Sequence, residues 1–212
     1  YLLAKHHNSE FEDKAAYTTI FGLLGNFYRQ TTHEYEKALP LYLEEQIIFE
    51  KEIGEDHLEY GAVLSNIGTT YRLLGSLEKA LEFERKAVAV TEKHHGTSSF
   101  QYGQRANNLA LTYSKMVGHE MLADSFYQIS VENVKQLMGE EHPQYALRLM
   151  NRAAFVYRLD RSEEARILQQ QARDILAKYI GAGHPIWTRL NITHSKILWQ
   201  LGEIEEAKTT LT

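Results

Sequence analysis

Apolar residues of helical spacing recur along this chain in blocks, separated by short polar and glycine-bearing stretches, and the blocks come in pairs. Ala38, Ala80, Ala123, Ala165 and Ala207 stand 42, 43, 42 and 42 residues apart, each within the second block of a pair. A strict period of this length marks stacked repeats rather than a single globular core. An aromatic opens each unit at Tyr17, Tyr60, Tyr102, Tyr145 and Trp187, and a small residue follows eight positions later at Gly25, Gly68, Ala110, Ala153 and Ser195. Small side chains there let two helix backbones approach closely. Tyr28, Tyr71 and Tyr113 come three residues further on, and Gly75, Gly118 and Gly202 mark turns before the alanine-bearing block. Each unit therefore reads as an antiparallel helix pair. The repeat phase predicts helices near 11–30, 35–53, 58–74, 77–95, 100–117, 120–138, 143–159, 162–180, 185–201 and 204–212.

The units end alike. Gly54, Gly96, Gly139 and Gly181 sit where the second helix must stop, a place that favours a residue able to turn left-handed. Three residues later come His57, His142 and His184, the last two followed by Pro143 and Pro185, with Ser99 as the exception in the third unit. The expected role of these histidines is a ring nitrogen bonding a helix end, since one repeat of separation keeps them from sharing a metal ion.

These motifs carry a resemblance. Gly54-Glu55-Asp56-His57 and Gly139 to Pro143, then a tyrosine, then Asn107 to Ala110, then Glu36 to Leu39 and Glu78 to Leu81, resemble the tetratricopeptide repeat. The subtype is the long-period one of kinesin light chains and of bacterial proteins with attached caspase-like protease domains. The resemblance covers essentially the whole chain. It implies an all-α fold, a right-handed α-α superhelix of about five antiparallel helix pairs, with first helices lining a concave face. The expected organisation is one solenoid over 1–212, with repeats at approximately 11–53, 54–95, 96–138, 139–180 and an incomplete 181–212. Residues 1–10 read as the tail of a preceding repeat, and the two ends read as those of a fragment of a longer array. Three departures stand out. The first and third units have one extra residue between small residue and alanine; Val156 replaces the expected tyrosine with Tyr157 beside it, as a one-residue shift would give; and Pro40 lies early in a second helix, where only a slight bend is expected.

Composition narrows the chemistry. The chain has no cysteine, which excludes disulfides, a thiol nucleophile and cysteine-based metal sites. No apolar run approaches the ~18 residues of a membrane span and no signal peptide is visible, so a cytoplasmic protein with no membrane partner is expected. There is no nucleophile elbow, phosphate loop or dinucleotide fingerprint. His33-Glu34 and His119-Glu120 lack the second histidine a zinc protease needs, and the adjacent pairs His6-His7 and His94-His95 supply too few ligands. No enzyme, cofactor or metal is expected.

The distribution of charge is more informative than the net of -5. The first-helix windows hold Arg29, Arg72, Arg105, Lys115, Arg148, Arg152, Arg158, Arg189 and Lys196, and no Asp or Glu. Acidic residues crowd into second helices and turns. With first helices on the concave face, the sorting makes a positive wall that attracts anions; the alternative is that the arginines only bridge to neighbouring glutamates. Asn66, Asn108 and Asn151 fall at equivalent places, with Asn107 beside one of them, and amides of this kind can grip a peptide backbone. Specificity would come from the next turn, where Arg29, Arg72, Ser114, Tyr157 and Trp199 align. The expected peptide-binding set is Asn66, Asn107, Asn108, Asn151, Arg29, Arg72, Arg105, Lys115, Arg148, Arg158, Tyr157, Arg189 and Trp199. The expected function is a non-catalytic interaction scaffold for an extended, acidic peptide, or for a domain of its own parent docking intramolecularly. The alternatives are a regulatory segment of a multidomain enzyme and, more weakly, single-stranded nucleic-acid binding with Tyr157 and Trp199 as stacking platforms.

Overall fold

The structure, a computed structural model, describes residues 16–210. The readings of residues 1–10, of a first helix beginning at 11 and of the last two residues lie outside it. Among the described residues every regular element is helical: α1 (16–27), α2 (Tyr35–Ile48), α3 (Tyr60–Leu73), α4 (Leu77–His95), α5 (Phe100–Tyr113), α6 (Glu120–Met138), α7 (Pro143–Tyr157), α8 (Ser162–Ala177), α9 (Ile186–Gln200) and α10 (Ile204–Thr209). Each of the ten predicted blocks has its counterpart here: α4 and α6 keep the predicted bounds, the second block stays helical to its predicted end through a π-helical turn at Phe49–Ile53, and α3, α5, α7, α8 and α9 are shorter by one to four residues at an end. The described chain divides into two compact units, one up to Thr97 with α1–α4 and one from Ser98 with α5–α10. Within them α3 packs on α4, α5 on α6, α7 on α8 and α9 on α10, while α2 meets α3, α6 meets α7 and α8 meets α9.

The alanine clock is a packing constraint. All five alanines are buried to 1% exposure or less. Their partners one helix earlier are equally confined. A Cβ on Gly25 would lie 2.7 Å from the Tyr42 ring, and one on Gly68 would lie 2.6 Å from Glu84 Cγ and 3.1 Å from the Ala80 carbonyl oxygen. In the first unit Tyr42, Phe49, Tyr60, Leu64 and Ile67 close over these crossings, each burial stabilising by ~1.5–3 kcal/mol. In the second, Tyr127, Leu149, Phe155, Leu176 and Leu190 do the same. Val156 is fully buried in the tyrosine's place, so the fourth repeat keeps its register and no shift occurs. Helix α2 runs through Pro40 without a break.

The turns between paired helices all use a left-handed residue five positions before the alanine. Gly75, Gly118 and Gly202 have φ of 80–84°, while His33 (57°) and Asp160 (58°) take the same conformation without being glycine. The two extra residues are absorbed differently. In the first repeat α1 widens into a π-helical turn at Tyr28–Thr32, which takes up one residue while keeping the helix continuous. In the third, α5 stops at Tyr113, and the bonds from Lys115 N–H to Thr112 O and from Met116 N–H to Tyr113 O tighten the chain before Gly118.

The histidines at the repeat boundaries work as expected. The Nδ1 atoms of His57, His142 and His184 accept from the backbone N–H two residues on, at 3.2, 3.1 and 3.1 Å. Ser99 Oγ does this work in the third unit by accepting from Tyr102 N–H at 3.2 Å. Each satisfies one of the backbone donors that a helix start leaves without an intrahelical partner.

Candidate functional site

The first helices present amides and guanidinium groups, and the structure separates the cations into two kinds. Some are neutralised by second helices. Arg72 is 9% exposed with its Nε 3.6 Å from Glu84, itself 1% exposed on α4. Arg152 of α7 places Nε 3.0 Å from Asp124 of α6 and Nη2 2.9 Å from Glu164 of α8, and Arg161 bridges the same two carboxylates at 2.7 and 2.5 Å. Their charge is spent on holding helices together.

Others face no carboxylate among the described residues. In the first unit Arg29 donates from Nε to the Tyr42 hydroxyl (3.1 Å) and from Nη2 to the side-chain oxygens of Asn26 (3.0 Å) and Asn66 (3.5 Å). Burial pushes the Tyr42 phenol up, so it stays a neutral donor, 2.9 Å from Asn26 Oδ1. This cluster spans α1, α2 and α3 and leaves the Arg29 charge without an acid among the described residues.

In the second unit Asn151 of α7 donates to Asn107 Oδ1 of α5 at 3.0 Å, so two of the expected amides are joined across neighbouring first helices. Near the C-terminal ends of the same two helices Arg158 donates to the Ser114 carbonyl at 2.8 Å, with its guanidinium 5.8 Å from the Phe155 ring centre. Between these two links lies a cavity of about 250 Å³ lined by Leu111, Tyr127, Asn151, Ala154, Phe155 and Arg158. Its lining is mainly apolar, and the polar side chains in it are those of Asn151, Arg158 and Tyr127. Leu111, Ala154 and Phe155 were not among the expected residues. Their signal was available, because Ala154 and Phe155 follow Asn151 by three and four positions and so share its helix face.

The remaining expected residues are more scattered. Desolvation pushes the guanidinium of Arg105 down to about 10 and lowers those of Arg148 and Arg189, all still cationic at neutral pH. Arg148 is 8% exposed and in no ion pair among the described residues, and Arg189 Nη2 sits 4.0 Å from Met150 Sδ. Asn108 is half-buried on α5. Lys115 is exposed in the turn after α5 rather than on a helix, Tyr157 is half-buried, and Trp199 is 60% exposed on α9. Among the described residues no group of three or more His, Asp or Glu could hold a metal ion. No helix there is long and apolar enough to cross a membrane. His119 stacks on Tyr113 with ring centres 5.6 Å apart, and His33 holds the left-handed position of its turn.

Comparisons with known proteins agree with this architecture. Residues 17–93 match the tetratricopeptide repeat family model. No curated protein sequence matches the chain. Among solved structures, BtubC (BKLC) from P. vanneervenii is similar with a TM-score of 0.78 at 17% identity, over 98% of this chain and 86% of that one. A putative kinesin light chain from Podosopora anserina with nearly identical TPR-like repeats has a TM-score of 0.73 at 20% identity, over 91% and 90%. A Rap protein complexed with competence and sporulation factor has a TM-score of 0.76 at 15% identity, over 92% of this chain and 52% of that one. Residues 17–93 thus match the tetratricopeptide repeat, and the chain has the all-helical paired-repeat fold of these solved structures.

Proposed function

We propose that this chain is a non-catalytic protein-interaction module that binds an extended peptide of acidic character along its first helices. The observation that carries the reading is the cavity between α5 and α7, where an apolar floor is flanked by the Asn151 amide and by an Arg158 guanidinium that has no carboxylate partner among the described residues. A peptide lying across it would place an apolar side chain on Leu111, Ala154 and Phe155, an acidic one against Arg158, and its backbone along the amides. In the first unit the Asn26, Arg29 and Asn66 cluster offers the same pair of chemistries. First helices free of Asp and Glu leave these cations uncancelled along their own face. That one similar structure, the Rap protein, is of a complex with a bound factor supports a binding role for this fold.

The test is fluorescence anisotropy with a library of labelled ten-residue peptides, acidic and neutral, against the wild-type chain and the Arg158→Glu and Asn151→Ala variants. Acidic peptides with an apolar residue should bind, Arg158→Glu should weaken them about tenfold or more, and Asn151→Ala should cost ~0.5–1.5 kcal/mol. Binding that is indifferent to peptide charge, or unaffected by both changes in a folded protein, would move the site off this face.

A further inference from the structure

The repeat register allows one place in the fold to be compared with itself. At the junction of α6, α7 and α8, Asp124, Arg152, Arg161 and Glu164 form the four-membered ion-pair network described above. Forty-two residues later, at the junction of α8, α9 and α10, the same four positions hold Arg166, His194, Glu203 and Glu206. Both guanidinium positions have changed, Arg152 to the shorter His194 and Arg161 to Glu203. Glu206 keeps the place of Glu164.

The consequence is a cavity of about 310 Å³ lined by His194, Leu198, Ile167, Asp174, Glu203 and Glu206, with Arg166 and two glutamines completing the wall. His194 is 7% exposed and its Nδ1 has no hydrogen-bond partner among the described residues. Burial and the nearby Arg173 and Arg166 hold its pKa down against the opposing Glu206, so at neutral pH the ring is neutral and offers a lone pair. Glu203 and Glu206 are in no ion pair among the described residues. Arg166, the one cation in the lining, is turned to Glu163, donating from Nε (3.0 Å) and Nη2 (2.9 Å) to one carboxylate oxygen. The charges of Glu203 and Glu206 also reach Arg166 and help to raise its pKa, but its hydrogen bonds go to Glu163, so the lining offers three carboxylates against one cation, together with a buried acceptor nitrogen.

We propose that this cavity binds a guanidinium group, the side chain of an arginine presented by a partner protein. Glu206 receives its N–H donors as Glu164 receives those of Arg152 and Arg161, Glu203 adds a second carboxylate from the place that Arg161 holds one repeat earlier, and Ile167 and Leu198 pack on its aliphatic stem. The planar, multiply donating guanidinium fits divergent acceptors better than a point-like ammonium. The site lies on α8, α9 and α10 and is independent of the α5–α7 cavity.

The experiment is a titration of the full chain with N-acetyl-L-arginine amide, followed by calorimetry and by the His194 ring resonances. N-acetyl-L-citrulline amide, which has the same shape without charge, N-acetyl-L-lysine amide and free L-arginine are the comparison arms. The arginine amide should bind about tenfold or more tightly than citrulline and lysine amides and should shift the His194 signals. Glu206→Gln, an exposed change that leaves the fold intact, should weaken it by about tenfold. His194→Arg should abolish it by placing a guanidinium of the chain's own against Glu206. Citrulline or lysine amide binding as tightly as arginine amide, or binding unchanged in Glu206→Gln, would overturn the proposal. Free L-arginine binding far more tightly than the capped form would overturn a partner's side chain as its source.

Discussion

Replacing Glu45 by glutamine should remove a pH-dependent weakness from the first unit. Glu45 stands on α2 against the backbone of α1, so close that a Cβ on Gly22 would lie 3.1 Å from its Oε1. Its Oε2 is buried with no hydrogen-bond partner among the described residues. Burial first, and the charge of Glu59 second, push its pKa up to about 7 from the ordinary 4.5. In the unfolded chain the carboxyl is ordinary. Below about pH 4.5 both states carry the proton and Glu45 costs nothing. As pH rises toward 7 the unfolded chain ionises while the folded one resists, so stability falls, and above about 7 the full cost is present. At ~1.4 kcal/mol per pKa unit the shift bounds the cost at about 3 kcal/mol. The residue is only half-buried, and screening by water brings the expected figure to ~1–2 kcal/mol. Thermal unfolding followed by circular dichroism from about pH 4 to about pH 9 measures it. Wild type and Glu45→Gln should converge at the acid end, part above about pH 4.5 and reach their full separation near pH 7, with the variant melting ~2–8 °C higher at the alkaline end. A stability difference that is constant with pH, or that favours wild type as pH rises, refutes the argument.

Three further changes probe the packing. Gly103→Ala would put a Cβ 2.2 Å from Asn133 Oδ1 and displace an amide that donates to the Ser99 carbonyl at 3.1 Å; a loss of ~2–4 kcal/mol is expected in denaturant unfolding. His142→Ala should cost ~0.5–2 kcal/mol through loss of the cap on Gln144 N–H, and His142→Ser should restore most of it, as Ser99 caps the equivalent helix, with urea melts of both variants as the check. Arg72→Glu, which sets a second carboxylate against buried Glu84, should lose ~3–5 kcal/mol, whereas exposed Arg158→Glu should stay within ~0.5 kcal/mol of wild type, so equal melting of the two variants would contradict the division between bridging and unneutralised arginines.

What could be read before the structure was what geometry imposes on residue type. Ala38 and its four counterparts announce themselves because nothing larger fits the crossing, and Gly25 and Gly68 because a ring and a glutamate stem occupy the space a Cβ would need. The caps were legible for a similar reason, since a short acceptor must stand at a helix start. The left-handed turns at His33 and Asp160 were not, because a non-glycine residue can be held in that conformation by its surroundings without leaving a mark in its type. Nor could the sequence separate Arg72 from Arg158. Both are first-helix arginines, one position apart in the repeat frame, and only the proximity of Glu84 to the first and of a carbonyl to the second makes one a brace and the other an available charge. The cavities were invisible because a cavity is what the side chains leave over, and one-dimensional spacing does not encode leftover volume.

The repeat itself supplies the control that a single globular domain lacks. At one place on successive first helices the chain carries Leu109, Arg152 and His194. The backbone geometry around each is set by the same small-residue crossings, so differences among them report on side-chain chemistry alone. Leu109 is buried, Arg152 binds two helices through two carboxylates, and His194, too short to do so, opens a cavity edged with acids. The double change His194→Arg with Glu203→Arg would rebuild in α8–α10 two of the four charges of the earlier network, and both new guanidinium groups can reach Glu206. Arg166 would still stand where Asp124 does, adding repulsion. The gain in stability should therefore be small, about 1 kcal/mol or less, and should rise when Arg166→Asp completes the set. Thermal melts of the double and triple variants decide it: a triple variant no more stable than the double would mean that these four positions are not equivalent from one repeat to the next, and the comparison that assigns the cavity its ligand would lose its basis.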